Sequence, residues 1–351
     1  MNILLRLALM LTIQQNQCFN LRRKYFFTQF LLLFLFSTQI LIAQDQAEIE
    51  CSNNYSFLVL EDKSGQIIFE KKSDQKIYPA SLTKLMTVYL TFKALKEKKL
   101  ALDQILTVSD RAEDVATVNK TNTLKLKSGE KISVKDAIKA SIVKSFNETT
   151  IMLAEAVAGS EWKFVPMMNK EAKDLGMAHT NFRNASGLYD DGQFTTDYDL
   201  ARLAIALKED FPEYYHFFAL KEFSYNGVKY KSHNNVLLEY KGAEGMKTGF
   251  TVKSGYNLIS IAKRNNKRVI SVLTSCSSYQ KRDALTKQLL DKAFEKILKN
   301  KDEKELKVKF ANNWNKEEEA VEKEITLDNV KPAKSYILKI KDKKNAEEKQ
   351  E

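Results

Sequence analysis

The sequence predicts an α/β (α+β) fold with one mixed sheet, built from both ends of the chain around a helical insertion. Residues 54–71 are typical of two short strands joined by a turn. Three further extended stretches come late in the chain, at GMKTGFT, SGYNLISIAKR and KRVISVLTSC. Between the two sets, residues 81–98 have the apolar spacing of a helix, and amphipathic segments follow at 135–157 and 161–174.

The C-terminal part of the chain divides in two by composition. A closing helix is predicted over residues 281–299, and beyond Lys301 the chain becomes densely charged with two strand-like pieces, LKVKF and SYILKI. A tail of about 50 residues is near the lower limit for a separate core. We therefore predict one main domain over residues 44–300 and a charged tail over 301–351.

Residues 1–43 have the layout of an export signal preceded by an extension. The segment 21–43 combines a basic head, an apolar core at Phe30–Phe36 and Ala43 in the place of a cleavage residue. Leu41 is a poor residue for the third position before the cut, so an uncleaved signal anchor stays open as an alternative. Polar residues interrupt the apolar run, whereas a spanning helix has about 20 predominantly apolar residues. Export with cleavage is therefore favoured.

The overall charge is positive, but no motif for nucleic acid accompanies it. The 351 residues carry a formal net charge of +11, and part of this surplus lies before residue 44, where acidic residues are absent. The remaining surplus suits an anionic cell-wall polymer or lipid surface, or serves solubility only. RNP, zinc-knuckle and helix-turn-helix patterns are absent, which argues against a nucleic-acid partner.

Ser81 and Lys84, in YPASLTKLMT, are the first candidates for catalysis. The spacing S-x-x-K alone means little, because it begins at seven serines, namely Ser73, Ser81, Ser128, Ser141, Ser160, Ser260 and Ser278. Only at Ser81 does a proline closely precede and a predicted helix begin at the serine itself. Backbone N–H groups and the helix dipole would then favour negative charge on its oxygen. The plain alternative is a helix N-cap followed by a surface lysine.

A lysine can act as a base only when it is neutral. With a pKa near 10.4, a free lysine is neutral less than about 0.1% of the time at pH 7. Lowering that pKa to about 7–8 means that burial or a second positive charge must destabilise the cation by roughly 3–4 kcal/mol. A mechanism built on Ser81 and Lys84 therefore predicts another cation nearby, and Lys247 is the candidate.

Lys247 belongs to a K-T-G motif that occurs once, in EGMKTGFT. Gly249 would let a ligand backbone approach the predicted strand, and Lys247 and Thr248 can bind a carboxylate. Between the two motifs lies S-x-N at Ser145 and Asn147, which is a weak signal by itself because the pattern recurs. The ordered set of S-x-x-K, S-x-N and K-T-G is typical of β-lactamases and penicillin-binding proteins.

Longer runs resemble one family in particular. YPASLTKLMT, TNFRNASGL, the TTDYDLA segment after it and EGMKTGFTVKSGYNLI resemble the D-alanyl-D-alanine carboxypeptidases, low-molecular-mass penicillin-binding proteins of serine peptidase family S11. The resemblance covers residues 54–300. It implies a penicillin-recognising, β-lactamase-like fold, in which a five-stranded antiparallel sheet packs against helices. The site would lie between the sheet and the helical region.

The resemblance implies an activity and catalytic roles. The chain would remove the terminal D-Ala from peptidoglycan stem pentapeptides through an acyl-enzyme on Ser81, and β-lactams would acylate it as substrate mimics. Lys84 would be the general base, and Ser145 would relay a proton to the leaving amine. The expected location is outside the cytoplasm of a bacterium, in the periplasm or on the outer face of the cytoplasmic membrane. A membrane contact is expected only through an uncleaved signal.

Residues of the other two motifs would bind the substrate. The implied set is Asn147, Lys247, Thr248, Gly249 and Phe250. Phe250 would act through its backbone N–H, which together with that of Ser81 would form an oxyanion hole. Lys247 would also keep the electrostatic potential positive near the leaving group.

Other functions stay open beside the carboxypeptidase. A D,D-endopeptidase would use the same chemistry on a peptide cross-link. A serine β-lactamase would share the motifs, although the E-x-E-L-N-type loop of class A enzymes is not found. A non-catalytic wall-binding protein ranks last, because nucleophile and base are both present. No cofactor or metal is expected, since the histidines are scattered and HExxH is absent.

The chain departs from the family pattern at several points. Phe146 is bulky where relatives have a small residue, so we expect a narrower site near Ser145. Asn234 stands where relatives often have arginine, which affects the expected recognition of a carboxylate. The tail over 301–351 is shorter than the family's second domain and its last residues form no apolar face, so we expect a truncated or vestigial domain.

The cysteines suggest one covalent link. After removal of the signal only Cys51 and Cys276 remain, in an oxidising compartment. Cys51 precedes the first predicted strand and Cys276 ends the last one. The antiparallel pairing of these strands that the resemblance implies would bring the two thiols together, so we expect a disulfide.

Overall fold

The computed structural model describes residues 51–118 and 122–314, of which Val118 and 300–314 are described in their backbone only. The predicted signal over 1–43 and the tail beyond residue 314 lie outside the described residues. Within the described ranges, no helix has the length and apolar character that a bilayer crossing requires.

The described strands form one large sheet and two short two-stranded sheets. The strands are β1 (Ser56–Glu61), β2 (Ile67–Lys71), β3 (Ile105–Thr107), β4 (Lys131–Ser133), β5 (Glu222–Tyr225), β6 (Val228–Lys231), β7 (Ala243–Thr251), β8 (Gly255–Arg264) and β9 (Lys267–Cys276). The large sheet has the order β2-β1-β9-β8-β7, with all neighbours antiparallel, whereas β3-β4 and β5-β6 are separate pairs. The five-stranded antiparallel sheet implied by the resemblance is therefore confirmed, as is its origin from both ends of the chain. The mixed sheet predicted from the order of strands and helices is wrong, because every neighbouring pair is antiparallel.

Helices fill the region between β2 and β7 and cover the sheet. They are α1 (Lys84–Lys96), α2 (Asp110–Val118), α3 (Val134–Val143), α4 (Asn147–Ala158), α5 (Glu161–Asp174), α6 (Asp197–Asp210), α7 (Asn235–Glu239) and α8 (Tyr279–Trp314), with short 3-10 helices at Ala80–Thr83 and Tyr215–Ala219. Consecutive residues along the middle of β8 and β9 are buried, and successive side chains point to opposite faces, so both faces of the sheet are covered.

Helix α1 is the central helix of the helical region. Its residues are buried almost all round, and it contacts α3, α4, α5 and α6. A helix that is apolar on every side belongs in a core. The chain enters α1 through the 3-10 helix Ala80–Thr83, which lies against β7. This arrangement places the first turn of α1 between the sheet edge and the helices.

Two helix predictions need correction. The single segment predicted over 135–157 is two helices, α3 and α4, because Ser145 has a left-handed backbone (φ +62°) and Phe146 is extended. The apolar spacing continues across this break, so periodicity does not show it. The strand-like piece LKVKF lies inside α8, which continues to Trp314. The surrounding Lys, Glu and Leu residues are strong helix formers.

A disulfide joins the two ends of the sheet region. Cys51 and Cys276 are bonded with their Cα atoms 4.6 Å apart, across 225 residues of chain. The link follows from the antiparallel pairing of β1 with β9, in which Ser56 lies opposite Thr274. Cys51 precedes β1, and Cys276 is the last residue of β9.

Candidate active site

Ser81 lies at the start of the central helix, pressed against the edge strand β7. It follows Ala80, whose backbone is left-handed (φ +50°), inside the 3-10 helix that precedes α1. A side chain on Gly249 would come within 3.0 Å of the Pro79 carbonyl and 3.3 Å of the Ser81 nitrogen. Glycine at position 249 therefore allows β7 to approach the backbone of the serine.

The Lys84 ammonium is surrounded by oxygen acceptors. Lys84 Nζ donates to Ser81 Oγ at 3.2 Å, to Asn147 Oδ1 at 2.7 Å and to the carbonyl of Ser186. The residue is 1% exposed. The structure therefore joins the S-x-x-K pair to Asn147 of the S-x-N motif. The alternative of Ser81 as an N-cap is not what the structure shows, since neither the 3-10 helix nor α1 begins with a side-chain cap.

Burial changes the protonation of the two motif lysines. It lowers the pKa of Lys84 to about 7, and the nearby Glu148 carboxylate opposes this change. Burial also holds the pKa of Lys247 well below its usual range, with the Lys84 and Arg282 charges acting in the same direction. The Lys84 charge thus disfavours charge on Lys247, whereas burial is what lowers the pKa of Lys84, so the effect of Lys247 on that pKa predicted from the sequence is not seen. At neutral pH a large fraction of Lys84 is neutral and can accept a proton.

The S-x-N motif forms the break between α3 and α4. Ser145, with its left-handed backbone, is 6% exposed, and its hydroxyl has no hydrogen-bond partner among the described residues. Asn122 Nδ2 donates to the Ser145 carbonyl at 3.1 Å. Strained backbone and an unpaired buried hydroxyl are typical of positions that contact a ligand.

A cavity of about 630 Å³ connects the three motifs. Its lining includes Ser81, Ser145, Asn147, Thr248, Gly249 and Phe250. The lining also includes Asn122, Gly187, His233, Tyr256, Tyr279 and Arg282. Lys84 and Lys247 lie beneath the cavity wall, where Lys247 Nζ donates to the Thr248 carbonyl at 2.9 Å. All the residues predicted from the sequence therefore meet at one place.

Strand β7, at the edge of the sheet, has one unpaired edge beside the cavity. It is the last strand of the sheet, so only one of its sides pairs, with β8. An unpaired strand edge presents backbone donors and acceptors to which an extended peptide can add. Phe250 is half exposed there and stacks on Tyr256 with ring centroids 4.3 Å apart.

Several contributors to the site do not follow from the sequence. The Ser186 carbonyl holds Lys84, and Gly187 lies so close to Ala80 that a Cβ would stand 1.9 Å from the Ala80 carbonyl oxygen. Both belong to the TNFRNASGL run, which is a family pattern to which the sequence assigns no role. Glu148, next to Asn147, accepts from Thr123 Oγ1 at 2.6 Å. Only its place beside a motif residue could have indicated it.

The two departures from the family pattern lie away from the reacting atoms. Phe146 is 2% exposed and packs with Ala140, Val143 and Phe223, so the expected narrowing of the site is wrong. The extended backbone after Ser145 directs this ring into the core beneath β5 and β6. Asn234 is also buried, and its Oδ1 accepts from the Leu237 N–H at 3.1 Å as the N-cap of α7.

Arg282 is a cation in the cavity that the motifs did not predict. It lies in the first turn of α8 and is 3% exposed. Its guanidinium pairs with Asp283 at 2.7 Å and donates to the Asn257 carbonyl at 3.4 Å. Within the described ranges, no group of three His, Cys, Asp or Glu residues is arranged to hold a metal ion.

The comparison with known families decides the relationship. A family described as D-alanyl-D-alanine carboxypeptidase matches residues 42–278. The chain belongs to the D-alanyl-D-alanine carboxypeptidase family. The carboxypeptidase DacC of Escherichia coli K12 is 36% identical over 75% of this chain and 66% of its own length. DacF of Bacillus subtilis is 32% identical over 68% and 61%. The chain thus spans less than two thirds of the length of these carboxypeptidases.

Solved structures of the family share the fold. Penicillin-binding protein 5 of Haemophilus influenzae is 33% identical with a TM-score of 0.66, covering 68% of this chain and 70% of that one. Penicillin-binding protein D2 of Listeria monocytogenes, in an ampicillin-bound form, is 30% identical with a TM-score of 0.60, covering 68% and 96%. The predicted penicillin-recognising fold is confirmed.

Proposed function

We propose that this chain is a serine-type D-Ala-D-Ala carboxypeptidase that trims peptidoglycan stem pentapeptides and is acylated by β-lactams. The observation that carries the proposal is the buried Lys84, which touches Ser81 Oγ at 3.2 Å and has its pKa lowered to about 7. A nucleophile within hydrogen-bond reach of a base that is neutral at working pH is the requirement for serine catalysis. The names of the carboxypeptidase relatives support the substrate.

Acylation uses the first motif. Ser81 Oγ attacks the carbonyl carbon of the penultimate D-Ala while its proton passes to Lys84 Nζ. The tetrahedral intermediate places negative charge on the former carbonyl oxygen. Backbone N–H groups of Ser81 and Phe250 are the proposed donors to that oxygen, and the close approach of β7 to Ser81 supports this pairing.

Departure of D-Ala uses the second motif. The C–N bond breaks, and the amine takes a proton through the Ser145 hydroxyl, which has no other partner among the described residues. Water then attacks the ester carbon, the C–Oγ bond breaks, and Ser81 recovers its proton. Asn147 supports both steps, because its side chain fixes Lys84 and lines the cavity.

The substrate is proposed to bind as an extra strand along β7. The free edge of β7 pairs with the peptide backbone, and Thr248, which lines the cavity, binds its C-terminal carboxylate, with Lys247 buried behind it. Gly249 allows β7 to lie close to the Ser81 backbone, so the added strand would run beside the nucleophile. A β-lactam offers the same carbonyl and carboxylate, so it would enter the same cleft.

The cellular location of the protein and the limits of its domains are proposed from the sequence. We infer export through the segment 21–43, with the enzyme outside the cytoplasmic membrane of a bacterium. The catalytic domain is proposed to span 44–300, followed by a charged segment over 301–351. The disulfide between Cys51 and Cys276 supports an oxidising compartment.

Mass spectrometry of the intact protein after benzylpenicillin tests the proposal, with Ser81→Ala as the matched control. We expect a penicilloyl adduct that persists for minutes on the wild type and is absent from the variant, followed by release of D-Ala from a pentapeptide. A short-lived adduct with rapid loss of penicillin would indicate a β-lactamase. Release of cross-linked peptides instead of D-Ala would indicate an endopeptidase. Absence of both adduct and hydrolysis would leave the wall-binding alternative.

A further inference from the structure

Two neighbouring carbonyl groups of the loop 184–187 accept hydrogen bonds from helix α1. Lys84 Nζ donates to the Ser186 carbonyl, and Thr87 Oγ1 donates to the Ala185 carbonyl at 2.7 Å. Lys84 and Thr87 lie three residues apart on α1, so both side chains leave the same face of the helix. The loop is therefore attached to the same turn of helix that carries the proposed base.

The loop is also held from its other side. The Ala185 N–H donates to Glu161 Oε1 of α5 at 3.0 Å, where both residues are buried. Within the loop, the Gly187 N–H donates to Asn184 Oδ1 at 2.7 Å. The peptide groups on both sides of Ser186 thus have fixed partners, so the place of its carbonyl does not depend on the lysine alone.

The three partners of the Lys84 amine differ in what they can donate. Asn147 Oδ1 and the Ser186 carbonyl can only accept a hydrogen bond, whereas Ser81 Oγ carries a hydroxyl proton. A neutral amine has two N–H bonds and one lone pair. When its two N–H bonds are directed to the two acceptors, the lone pair is left for the Ser81 hydroxyl. The amine is then oriented to take the proton as Ser81 Oγ attacks.

Thr87 is the last residue of the run YPASLTKLMT and has no part in the steps described so far. It is 0% exposed and does not line the cavity. We propose that Thr87 is a positioning residue that keeps the lone pair of neutral Lys84 directed at the Ser81 hydroxyl. This rests on the proposed carboxypeptidase function. Without the Thr87 hydroxyl, the buried Ala185 carbonyl would lack a donor, and the loop would shift together with the next carbonyl.

Thr87→Val tests this role, because valine has nearly the shape of threonine and lacks the hydroxyl. Stopped-flow acylation over a range of benzylpenicillin concentrations separates the dissociation constant of the initial complex from the rate constant of acylation. We expect the rate constant to fall about tenfold, because the lone pair loses its orientation. The dissociation constant should stay within about twofold, since Thr87 does not touch the ligand. Thr87→Ser, which keeps the hydroxyl, should retain most of the rate.

The pH profile of acylation gives a second signature. A carbonyl accepts more strongly from an ammonium group than from a neutral amine, so its withdrawal lowers the pKa of Lys84. The rising limb of the rate constant in Thr87→Val should therefore move to lower pH while its plateau falls. The charged groups that face Lys84, Glu148 from α4 and Lys247 from β7, are the same in every variant.

Thr91→Val is the matched control, one turn further along α1. Thr91 is also 0% exposed, but its hydroxyl donates to the Thr87 carbonyl at 2.8 Å and so bonds only within the helix. Its rate constant and limb should match those of the wild type. If Thr87→Val does not fold, Thr87→Ala removes the hydroxyl without adding a methyl group.

Equal changes in the two valine variants would show that Thr87 only supports the fold. A smaller number of reactive molecules with an unchanged rate constant and an unmoved limb would equally overturn the proposal. Both outcomes leave the carboxypeptidase proposal intact, because the wild type still forms its penicilloyl adduct. A wild type that forms no adduct would overturn the proposed function and, with it, the role of Lys84 as a base.

Discussion

At the scale of single residues, the state of Lys84 depends on what surrounds its ammonium group. Three oxygen atoms accept from it, and the carboxylate that raises its pKa belongs to Glu148, one residue beyond Asn147. The Glu148 side chain accepts from Thr123 and from the Leu124 N–H. Glu148 therefore accepts two hydrogen bonds from the segment that begins at residue 122, and its charge also raises the pKa of Lys84 against the effect of burial.

Glu148→Gln should shift the pH dependence of acylation. Glu148 raises the pKa of Lys84 against burial, so removing its charge lowers that pKa below about 7. The neutral base then appears at lower pH, and the rising limb of acylation by benzylpenicillin should move to lower pH. Glutamine keeps an oxygen that accepts from Thr123 and Leu124.

Glu155→Gln is the control for this prediction. It lies on the same helix and bonds to Ser109, but its charge does not act on Lys84. Stopped-flow acylation rates from pH 5 to 9 would provide the comparison. A limb that stays in place in Glu148→Gln, or moves equally in Glu155→Gln, would contradict the assigned influence of Glu148.

Site residues that lie within short motifs can be predicted from the sequence, whereas site residues that distant loops contribute cannot. Ser81, Ser145 and Lys247 each lie in a recognisable local pattern. The Ser186 carbonyl and His233 reach the site through loops, and a backbone carbonyl or a solitary histidine has no pattern in sequence. The direction of the Phe146 ring is also hidden, because it depends on the left-handed backbone of Ser145.

At the scale of elements, the loop around Gly187 is built against the 3-10 helix that carries Ser81. The contact needs a residue without a side chain, and the backbone of Gly187 is also left-handed (φ +84°). A Cβ added at this position would lie 1.9 Å from a carbonyl oxygen, and no rotamer change relieves that clash, since the oxygen belongs to the backbone. One of the two segments would have to move.

Gly187→Ala should therefore both destabilise the protein and slow acylation. Gly129→Ala is the matched control, because Gly129 has nearly the same backbone (φ +87°) with nothing within 4 Å of the added methyl group. We expect the control to lose about 1 kcal/mol from the backbone conformation. Gly187→Ala should lose about 3 kcal/mol or more, with a loss of penicillin acylation. Urea unfolding measures the stability of both variants, and equal values would refute the close contact.

The first residue of helix α6, Asp197, contacts the large sheet. Asp197 is buried, and its Oδ1 accepts from Thr274 Oγ1 of β9 at 2.8 Å, while Thr274 bonds to Ser56 of β1 at 2.7 Å. Burial raises the pKa of Asp197 to about 7, although the Ser56 and Thr274 hydroxyls lower it. The Asp197 carboxyl therefore links α6 to β9 and β1 through the hydroxyls of Thr274 and Ser56.

The stability of the protein should fall between pH 4 and 7 because of Asp197. The folded state keeps the proton up to about pH 7, whereas the unfolded state releases it near pH 3.8, so the folded state binds more protons in this window. The contribution is complete below pH 4 and lost as the pH rises through 7, up to about 4 kcal/mol. Asp197→Asn should remove this slope.

Urea unfolding of wild type and Asp197→Asn at pH 4.5, 6 and 7.5 measures the effect. The variant should gain stability relative to the wild type as the pH increases. A constant difference across the three pH values would show that Asp197 titrates alike in both states. The Glu61 carboxyl, whose pKa is lowered, provides the opposite slope elsewhere in β1 and is present in both proteins.

At the scale of the whole molecule, the disulfide closes a loop that contains the entire helical region between β2 and β7. Cys51 and Cys276 are 225 residues apart, so the bond restricts most of the unfolded chain. The loss of chain entropy for a loop of this size corresponds to about 5 kcal/mol in the simplest treatment. The same bond lies where the start of β1 meets the end of β9.

Replacing both cysteines by alanine should destabilise the protein by about 2–5 kcal/mol without removing acylation. Neither cysteine lines the cavity, so the folded variant should still form the penicilloyl adduct. Unfolding of the oxidised wild type, the reduced wild type and the double variant in urea gives the comparison. Equal midpoints for all three would show that the bond does not constrain the unfolded chain.

The strand order also determines when the proposed penicillin-binding site is complete. Ser56 of β1 meets its partner Thr274 of β9 across 218 residues, and such long-range pairings form late in folding. Ser81 and Lys84 are synthesised long before β7, whose edge completes the cleft. A nascent or half-folded chain therefore carries its nucleophile without a site. Labelling by a fluorescent penicillin would report finished molecules only. The labelled fraction, followed over time, would therefore measure how fast newly made chains complete folding.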